Sequence, residues 1–480
     1  MRVLRGQTEL SELSRDAGLI ALTPKVAFVA QDEQDVSEGI REAMSNRMSL
    51  TPRGGGTSIP SQSVGRGAIL LQDRKRVDVM PDGSVACQPS LVKGDLNKAL
   101  GPSRWMPVDP SSYASCTVGG MVANNSSGIR TPKYGSTIDF VAGLRGVIPG
   151  EEARPIVKVT LEGALAGDER TKKVASLILE NESDIVAERP KVTKNSSGYR
   201  LERVVHDGAF DLPKLMTGSE GTLAVLTEVT FATRERPKWK SLFIAEAALE
   251  EVDATVGAFR EHRPTALELV DKSVFRMMNR WERIAKYSRS DRQFMVFCEF
   301  DGDAGDGSEI VQEVAASKAG SFDPVVMQSQ SDVSGAWEAR NETLNLAQEI
   351  RKGSRTLLPG VEDLVVPPER LGDLVRLLID QFGKWGLDYI SYGHAGDANL
   401  HARPFLDRSD PRDRAILEQL MEDCFEAVWR MGGSMTGEHG DGMLRAKYVE
   451  RQYPRTHWIM REIRKLYDPR GLLNPGVKIA

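Results

Sequence analysis

Three of the six histidines in this chain stand in two short glycine-bearing stretches, Tyr392-Gly-His-Ala-Gly-Asp-Ala-Asn-Leu-His401 and Thr436-Gly-Glu-His-Gly-Asp-Gly442. Imidazole with carboxylate suits zinc, iron or manganese, and imidazole alone suits proton transfer near neutrality. On a helix, His394 and His401 would share a face but stand about 10 Å apart, too far for one ion with bonds of about 2.1 Å. Gly393, Gly396 and Asp397 argue against a helix. A strand–turn–strand would fold the two rings toward one point, with Glu438, 37 residues beyond His401, as the third ligand. Two histidines buried beside a turn account for the same spacing without a metal, so spacing alone leaves both readings open. Adjacent side chains on extended backbone point to opposite sides. Glu438 and His439 can therefore hold different jobs, with His439 the candidate proton acceptor. His206 and His262 stand alone in polar contexts and read as surface or packed residues.

Positioning such groups takes a large scaffold, and 480 residues, 40% apolar and 27% charged, allow two or three globular domains. The 63 basic and 68 acidic residues are mixed along the chain, which excludes the clustered basic face of a nucleic-acid binder. Cys87, Cys116, Cys298 and Cys424 are far apart and form no C-x-x-C pair. A zinc ribbon, an iron–sulfur cluster held by these residues and a disulfide framework are all disfavoured. The N-terminus lacks the apolar core of a signal peptide, and no run approaches the roughly 18 apolar residues of a membrane span. The expectation is a cytoplasmic protein. A peripheral membrane contact through the basic helix around Arg461, Arg464 and Lys465 is the lesser reading.

Short strands such as KVAFVA (25–30), GAILLQ (67–72) and SVACQP (84–89) alternate with helices and glycine-rich turns up to residue 235. After RERPKWK, strands and helices alternate more regularly from 241 to 405, predicting an open sheet covered by helices on one side, an α+β layering. A long helix is predicted over about 332–351, and further helices over 412–431 and 444–468.

Two loops look like anion-binding backbone, TPRGGGTS (51–58) and SCTVGGMVANNSSG (115–128). Neither is a P-loop nor a strand–GxGxxG–helix unit. Each alone reads equally as an ordinary turn; together they favour a diphosphate-bearing cofactor outside those two folds. With KYGSTIDFVAGL, KNSSGYRLERVV and LMTGSEGTLAVLTEVT, in this order and spacing, they make the chain resemble the FAD-linked oxidases of the vanillyl-alcohol-oxidase type. The nearest group is the D-2-hydroxyacid dehydrogenases acting on D-lactate, D-2-hydroxyglutarate or glycolate. The resemblance runs from about residue 25 to 479.

That resemblance implies an α+β protein with a PCMH-type FAD-binding domain of two α/β subdomains over 1–236 and a ferredoxin-like-derived substrate cap over 237–430. A C-terminal helical segment, 431–480, would return to complete the site. Arg53, Gly54, Gly55, Gly56, Thr57 and Ser58 would cradle the FAD pyrophosphate. Thr117, Gly119, Gly120, Asn124, Ser127 and Gly128 would line the cofactor, followed by Asn195, Gly198, Glu220 and Gly221, with Asn474 at the isoalloxazine. No histidine lies in the first loop, where covalently flavinylated relatives carry one, so FAD is expected to be non-covalent. His394, His401 and Glu438 resemble the ligands of a divalent metal, zinc before iron or manganese. Ala398 stands where relatives usually have glycine.

The reaction implied is oxidation of a D-2-hydroxy acid, hydride passing to the flavin and His439 taking the hydroxyl proton. Arg340 sits in Trp337-x-x-Arg340-x-Glu342, which resembles the family's substrate-arginine segment. On the predicted helix it shares an apolar stripe with Trp337, Leu344 and Ala347, and Arg351 is a second candidate. The implied electron acceptor is an iron–sulfur protein, an electron-transfer flavoprotein, a cytochrome or a quinone, and a homodimer is left open. Alternatives are a flavoprotein half active only with an iron–sulfur partner, a flavin transferase like alkylglycerone-phosphate synthase, and a flavin-free metallohydrolase.

Overall fold

A computed structural model describes residues 1–277, 281–316, 324–347 and 350–479; the side chains at 283, 315–316 and 343–347 lie outside that description. Two sheets, of four and five strands, carry most of the first part of the chain, beside smaller ones of three and two strands. Val26–Ala30 and Ala68–Gln72 run parallel, with Leu50–Pro52 parallel beyond them and Arg2–Leu4 antiparallel on the other edge. Parallel neighbours need a covering crossover. Helix Glu33–Ser45 provides it, burying Val36, Ile40 and Ala43 and starting at Asp32, whose side chain accepts from the Asp35 N–H. The second sheet is antiparallel, in the order Val77–Val79, Val85–Cys87, Val225–Phe231, Val141–Val147 and Arg154–Ile156. The tail then closes the first sheet. Leu473 bridges Leu50 in parallel, and the Asn474 N–H donates to the Leu50 carbonyl at 2.9 Å.

From Trp239 onward the strands form one antiparallel sheet. Its order is Val325–Met327, Trp239–Ala247, Phe294–Gly302, Ala266–Asp271, Tyr389–His394, Asn399–Leu406, Arg355–Leu357 and Arg351–Lys352, with Leu364–Val365 also paired to Asn399–Leu406. Helices cover both faces, not one. Phe243, Val296 and Leu269 pack with helices Val252–Glu261 and Leu371–Lys384. Leu242, Phe297 and Val270 pack with Lys272–Met277, Trp281–Ala285 and Gln330–Ala347 on the other side. Double cover explains why Phe294–Gly302 reads FMVFCEFDG, a nearly unbroken apolar run instead of an alternation.

Two helix expectations change. The long helix is Gln330–Ala347, so Arg351 falls on a separate, exposed strand and does not share the Arg340 face; the Leu344 and Ala347 side chains lie outside the described residues. The stretch 444–468 is broken into Gly442–Arg445, Ala446–Tyr448, Val449–Gln452 and His457–Tyr467. Pro454 has no N–H to give and pushes Tyr453 out of the helical region, to φ −127° and ψ 61°.

Candidate active site

A cleft of about 1090 Å³ runs between the glycine-rich loops and the nine-stranded sheet. It exceeds the roughly 300–1,000 Å³ of pockets for drug-sized ligands. Gly54, Gly55, Gly56, Thr57, Ser58, Thr117, Gly120, Asn124, Ser127 and Gly128 line one end. The two loops approach this closely because side chains are missing: a Cβ on Gly54 would meet Thr117 Oγ1 at 2.4 Å, and one on Gly55 would meet the Ser115 carbonyl at 2.3 Å. The result is a wall of backbone suited to a large, phosphate-bearing ligand.

The other residues expected at the cofactor are not among those lining the cleft. Arg53 turns its guanidinium toward the carbonyls of Leu13, Ser63 and Arg15, at 3.2, 3.0 and 2.8 Å. Gly119 packs on Pro89, where a Cβ would come within 2.6 Å. Glu220, at φ 53°, accepts from the Asp441 and Gly442 N–H groups at 2.8 Å each and pairs with buried Lys478 at 3.0 Å. Asn474 donates to the Gln62 and Glu220 carbonyls, and Gly198 N–H to Asp441. Asn195 bonds Tyr453 and Ser434, while Gly221 approaches Pro52. Apart from Arg53, Gly119 and Gly221, these contacts fasten the 434–442 loop, Tyr453 and the C-terminal tail to the part of the chain before residue 236.

At the other end, strands Tyr389–His394 and Asn399–Leu406 form a hairpin in which His394 faces Asn399 and Tyr392 faces His401. Its turn needs a left-handed residue, and Ala398 supplies it at φ 49°. The two imidazole Nε2 atoms stand 3.2 Å apart, and Glu438 Oε1 lies 3.3 Å from that of His394 and 3.2 Å from that of His401. The opposite nitrogens are committed. His394 Nδ1 faces Glu268 Oε1 at 2.6 Å and His401 Nδ1 faces the Glu362 carbonyl at 2.7 Å, acceptors that assign the hydrogen to Nδ1 in both rings. In the neutral rings both Nε2 atoms then carry lone pairs aimed at each other and at a carboxylate oxygen. A proton on His394 is one relief: burial pulls that imidazole down, Glu268 and Glu438 outweigh it, and its pKa stands at about 9. A divalent cation would satisfy all three atoms at once, because ligand atoms about 2.1 Å from one ion stand roughly 3.0–3.4 Å apart.

Behind this triangle lies a set of buried groups that motif reading missed. Lys194, fully buried, sits 3.2 Å from Glu438 Oε2, which also accepts from Ser127 Oγ at 2.9 Å. Burial raises the Glu438 carboxyl, but Lys194 and His394 hold it well below the usual range. Asp363 Oδ2 accepts from the N–H groups of Glu438 and His439, at 3.0 and 2.8 Å, and from the Thr436 hydroxyl. Asp363, His401, Glu438 and His439 also bring ligand atoms within 4.8 Å of one another. His439 Nδ1 lies 3.3 Å from Glu362 Oε1, which Arg445 holds at 2.6 Å. Burial lowers the His439 imidazole, and Asp363 and Glu362 more than reverse it. Burial alone dominates at His401, whose pKa falls.

Arg340 lines the cleft, but its guanidinium is ion-paired with buried Glu268 and bonded to Asn341 Oδ1 at 3.0 Å. Arg340 thereby braces the carboxylate that orients His394, while its own Nε is buried without a hydrogen-bond partner. Glu268 was visible as a charge inside the apolar strand Ala266–Asp271, where an ionised group needs partners.

A backbone-walled cleft of this size ending on converging histidines can hold a large, phosphate-bearing ligand beside a cluster able to bind a metal or move a proton. The family described as FAD binding domain matches residues 24–154, and that described as FAD linked oxidases, C-terminal domain, matches residues 238–477. The chain belongs to the FAD-linked oxidases. It is 29% identical to a D-2-hydroxyglutarate dehydrogenase of Escherichia coli (strain K12), across 97% of this chain and 49% of that protein. The chain thus spans about half the length of such relatives. It is 25% identical to the glycolate oxidase subunit GlcD of Bacillus subtilis (strain 168), across 95% of this chain and 89% of that protein. Identity to a D-lactate dehydrogenase of Archaeoglobus fulgidus is 27%, across 94% and 90%. The fold matches p-cresol methylhydroxylase with a TM-score of 0.70 at 14% identity, over 99% of this chain and 93% of that one. Among the described residues, no helix is long and apolar enough to cross a membrane.

Proposed function

We propose that this protein oxidises a D-2-hydroxy acid of the lactate, 2-hydroxyglutarate or glycolate class to the 2-oxo acid. The observation that carries the reading is the convergence of His394 Nε2, His401 Nε2 and Glu438 Oε1 at 3.2–3.3 Å, at the end of a cleft large enough for a dinucleotide. The glycine loops would hold FAD non-covalently, and it would supply the hydride acceptor. His394, His401 and Glu438 would hold a divalent ion, zinc being the first choice, and it would supply polarisation of the substrate hydroxyl.

The residues do the rest. His439 takes the hydroxyl proton. Its Nδ1 is fixed by Glu362, leaving Nε2 on the side of Glu438 Oε1, 3.7 Å away. Glu362 and Asp363 stabilise the imidazolium that results, as a buried carboxylate does behind any histidine base. Glu268, braced by Arg340, holds His394 in its tautomer. The electron acceptor this reading implies is of the iron–sulfur, electron-transfer flavoprotein, cytochrome or quinone type.

The test is anaerobic titration of the flavoprotein with a panel of D- and L-2-hydroxy acids. Bleaching by one or more D-acids, and its loss with a chelator, is the expected result. A flavin that no hydroxy acid reduces, with metal restored, removes the reading.

A further inference from the structure

Three parts of the site meet on the ammonium of Lys194, a residue 1% exposed. Its Nζ donates to the Gly128 carbonyl of the second glycine loop at 3.1 Å and to Glu438 Oε2 at 3.2 Å. Asp397 Oδ2 lies 3.5 Å away and has no hydrogen-bond partner among the described residues, while Asp397 Oδ1 accepts from the Thr193 hydroxyl at 2.7 Å. Asp397 belongs to the short turn Ala395–Asp397, between the two strands that carry His394 and His401. Lys194 and its neighbour therefore set the turn of the histidine hairpin against Glu438 and against the cofactor loop.

The two oxygens of Glu438 are given different surroundings. Oε1 faces His394 Nε2 and His401 Nε2. Oε2 is taken by Lys194 and by the Ser127 hydroxyl, which donates to it at 2.9 Å. A carboxylate can grip a cation with one oxygen or with both. Here the second oxygen accepts a charge-assisted bond in a buried place, where withdrawing it would strand an ammonium. Donors that each give one atom leave positions open on an ion, as catalysis at a metal requires. A hydroxy acid that binds through its hydroxyl and a carboxylate oxygen needs more than one of them.

Resting on the proposed metal-dependent activity, we propose that Lys194 is a positioning residue that restricts Glu438 to a single-oxygen donor and so keeps open the positions a substrate would take on the ion. Lys194 does not line the cleft, so it acts through Glu438 and not on the substrate.

The experiment loads divalent cobalt in place of zinc into the flavin-containing, full-length protein. Wild type and Lys194→Met are compared by cobalt content, by visible ligand-field absorption taken as a difference from the zinc form, and by titration with oxalate, a chelating probe. Lys194→Met is expected to keep its cobalt and to lose ligand-field intensity, which falls as coordination number rises and which a lower melting temperature alone does not change. Oxalate should bind it about 10–100-fold more weakly, the usual cost of removing a residue that orients a ligand. Should Lys194→Met not fold, Ser127→Ala removes the other donor to Oε2 and is expected to move both readouts in the same direction. An unchanged spectrum, an unchanged oxalate affinity or a variant that loses its cobalt would each overturn the assignment. If wild type takes up neither cobalt nor zinc, the metal reading fails and this one with it. If wild type takes up cobalt and is reduced by a hydroxy acid while the variant's spectrum and oxalate affinity match it, only the role of Lys194 falls.

Discussion

Adding zinc to the metal-free protein should raise its melting temperature, and Glu438→Gln should abolish the rise. The two imidazole Nε2 atoms and Glu438 Oε1 stand 3.2–3.3 Å apart, with both Nδ1 atoms spent on Glu268 and Glu362. An ion that binds only the folded chain stabilises it by about 2.7 kcal/mol at a hundred times its Kd and about 4.1 kcal/mol at a thousand times. Unfolding entropy near 60 °C is roughly 2.1 cal/mol/K per residue, hence about 1 kcal/mol/K for a chain of 480 residues. The expected shift is therefore about 3–4 °C. Glu438→Gln also leaves Lys194 without its carboxylate at 3.2 Å, so its own melting temperature will fall. The readout is accordingly the metal-induced change within each protein, measured by calorimetry beside metal content. A wild type that ignores zinc, manganese and ferrous ion, or a variant that responds as wild type does, would refute the convergence argument.

Three further outcomes follow from the buried polar groups. Asp363→Asn removes part of the clamp on the Glu438 and His439 N–H groups, and metal titration should show affinity about 10–100-fold weaker, as for other residues that orient ligands. Glu220→Gln takes one partner from Lys478, fully buried at 3.0 Å, and should cost about 3–5 kcal/mol, read as a melting point about 3–5 °C lower. Lys93 is fully buried against the Met106 carbonyl at 2.8 Å, and burial pulls its pKa down to about 8. Its folded pKa lies below that of the unfolded chain, near 10.4, so the unfolded state binds more protons between those values and stability rises with pH across that window, by at most about 3 kcal/mol. Denaturant unfolding of wild type and Lys93→Met should diverge in favour of wild type from pH 8 to about 10.4, and a constant difference contradicts the assignment.

Much of the scaffold was legible because apolar patterning survives where one element faces one core. Val26–Ala30 and Ala68–Gln72 stand out between glycine-rich turns, and the Leu371–Lys384 helix shows its buried stripe at Leu371, Leu374, Val375, Leu378 and Phe382. The second helical layer was missed because an apolar run says a strand is buried without saying what covers each face. The histidines and Glu438 were visible as residue types, but their supports were not. Glu268, Glu299 and Arg403 did leave a signal, each being a charge inside a buried strand. Lys194 and Lys478 left none, since a lysine in a loop looks solvated until distant segments fold onto it, Asp397 and Glu438 on the first and Glu220 and Asp441 on the second. Ala398 was marked as a departure from glycine, and its φ of 49° gives the departure a backbone strain of about 1–2 kcal/mol.

In the proposed mechanism two neighbours divide the labour, Glu438 holding the ion and His439 taking the proton. The measurement that tests it most directly is the single-turnover rate of anaerobic flavin bleaching in His439→Ala, using the D-2-hydroxy acid that bleaches wild type fastest, with metal content determined on the same sample. Metal stoichiometry should be unchanged and the rate lower by about 10²–10⁴-fold, the usual worth of a positioned proton acceptor. A variant that keeps its metal and bleaches at the wild-type rate would contradict it.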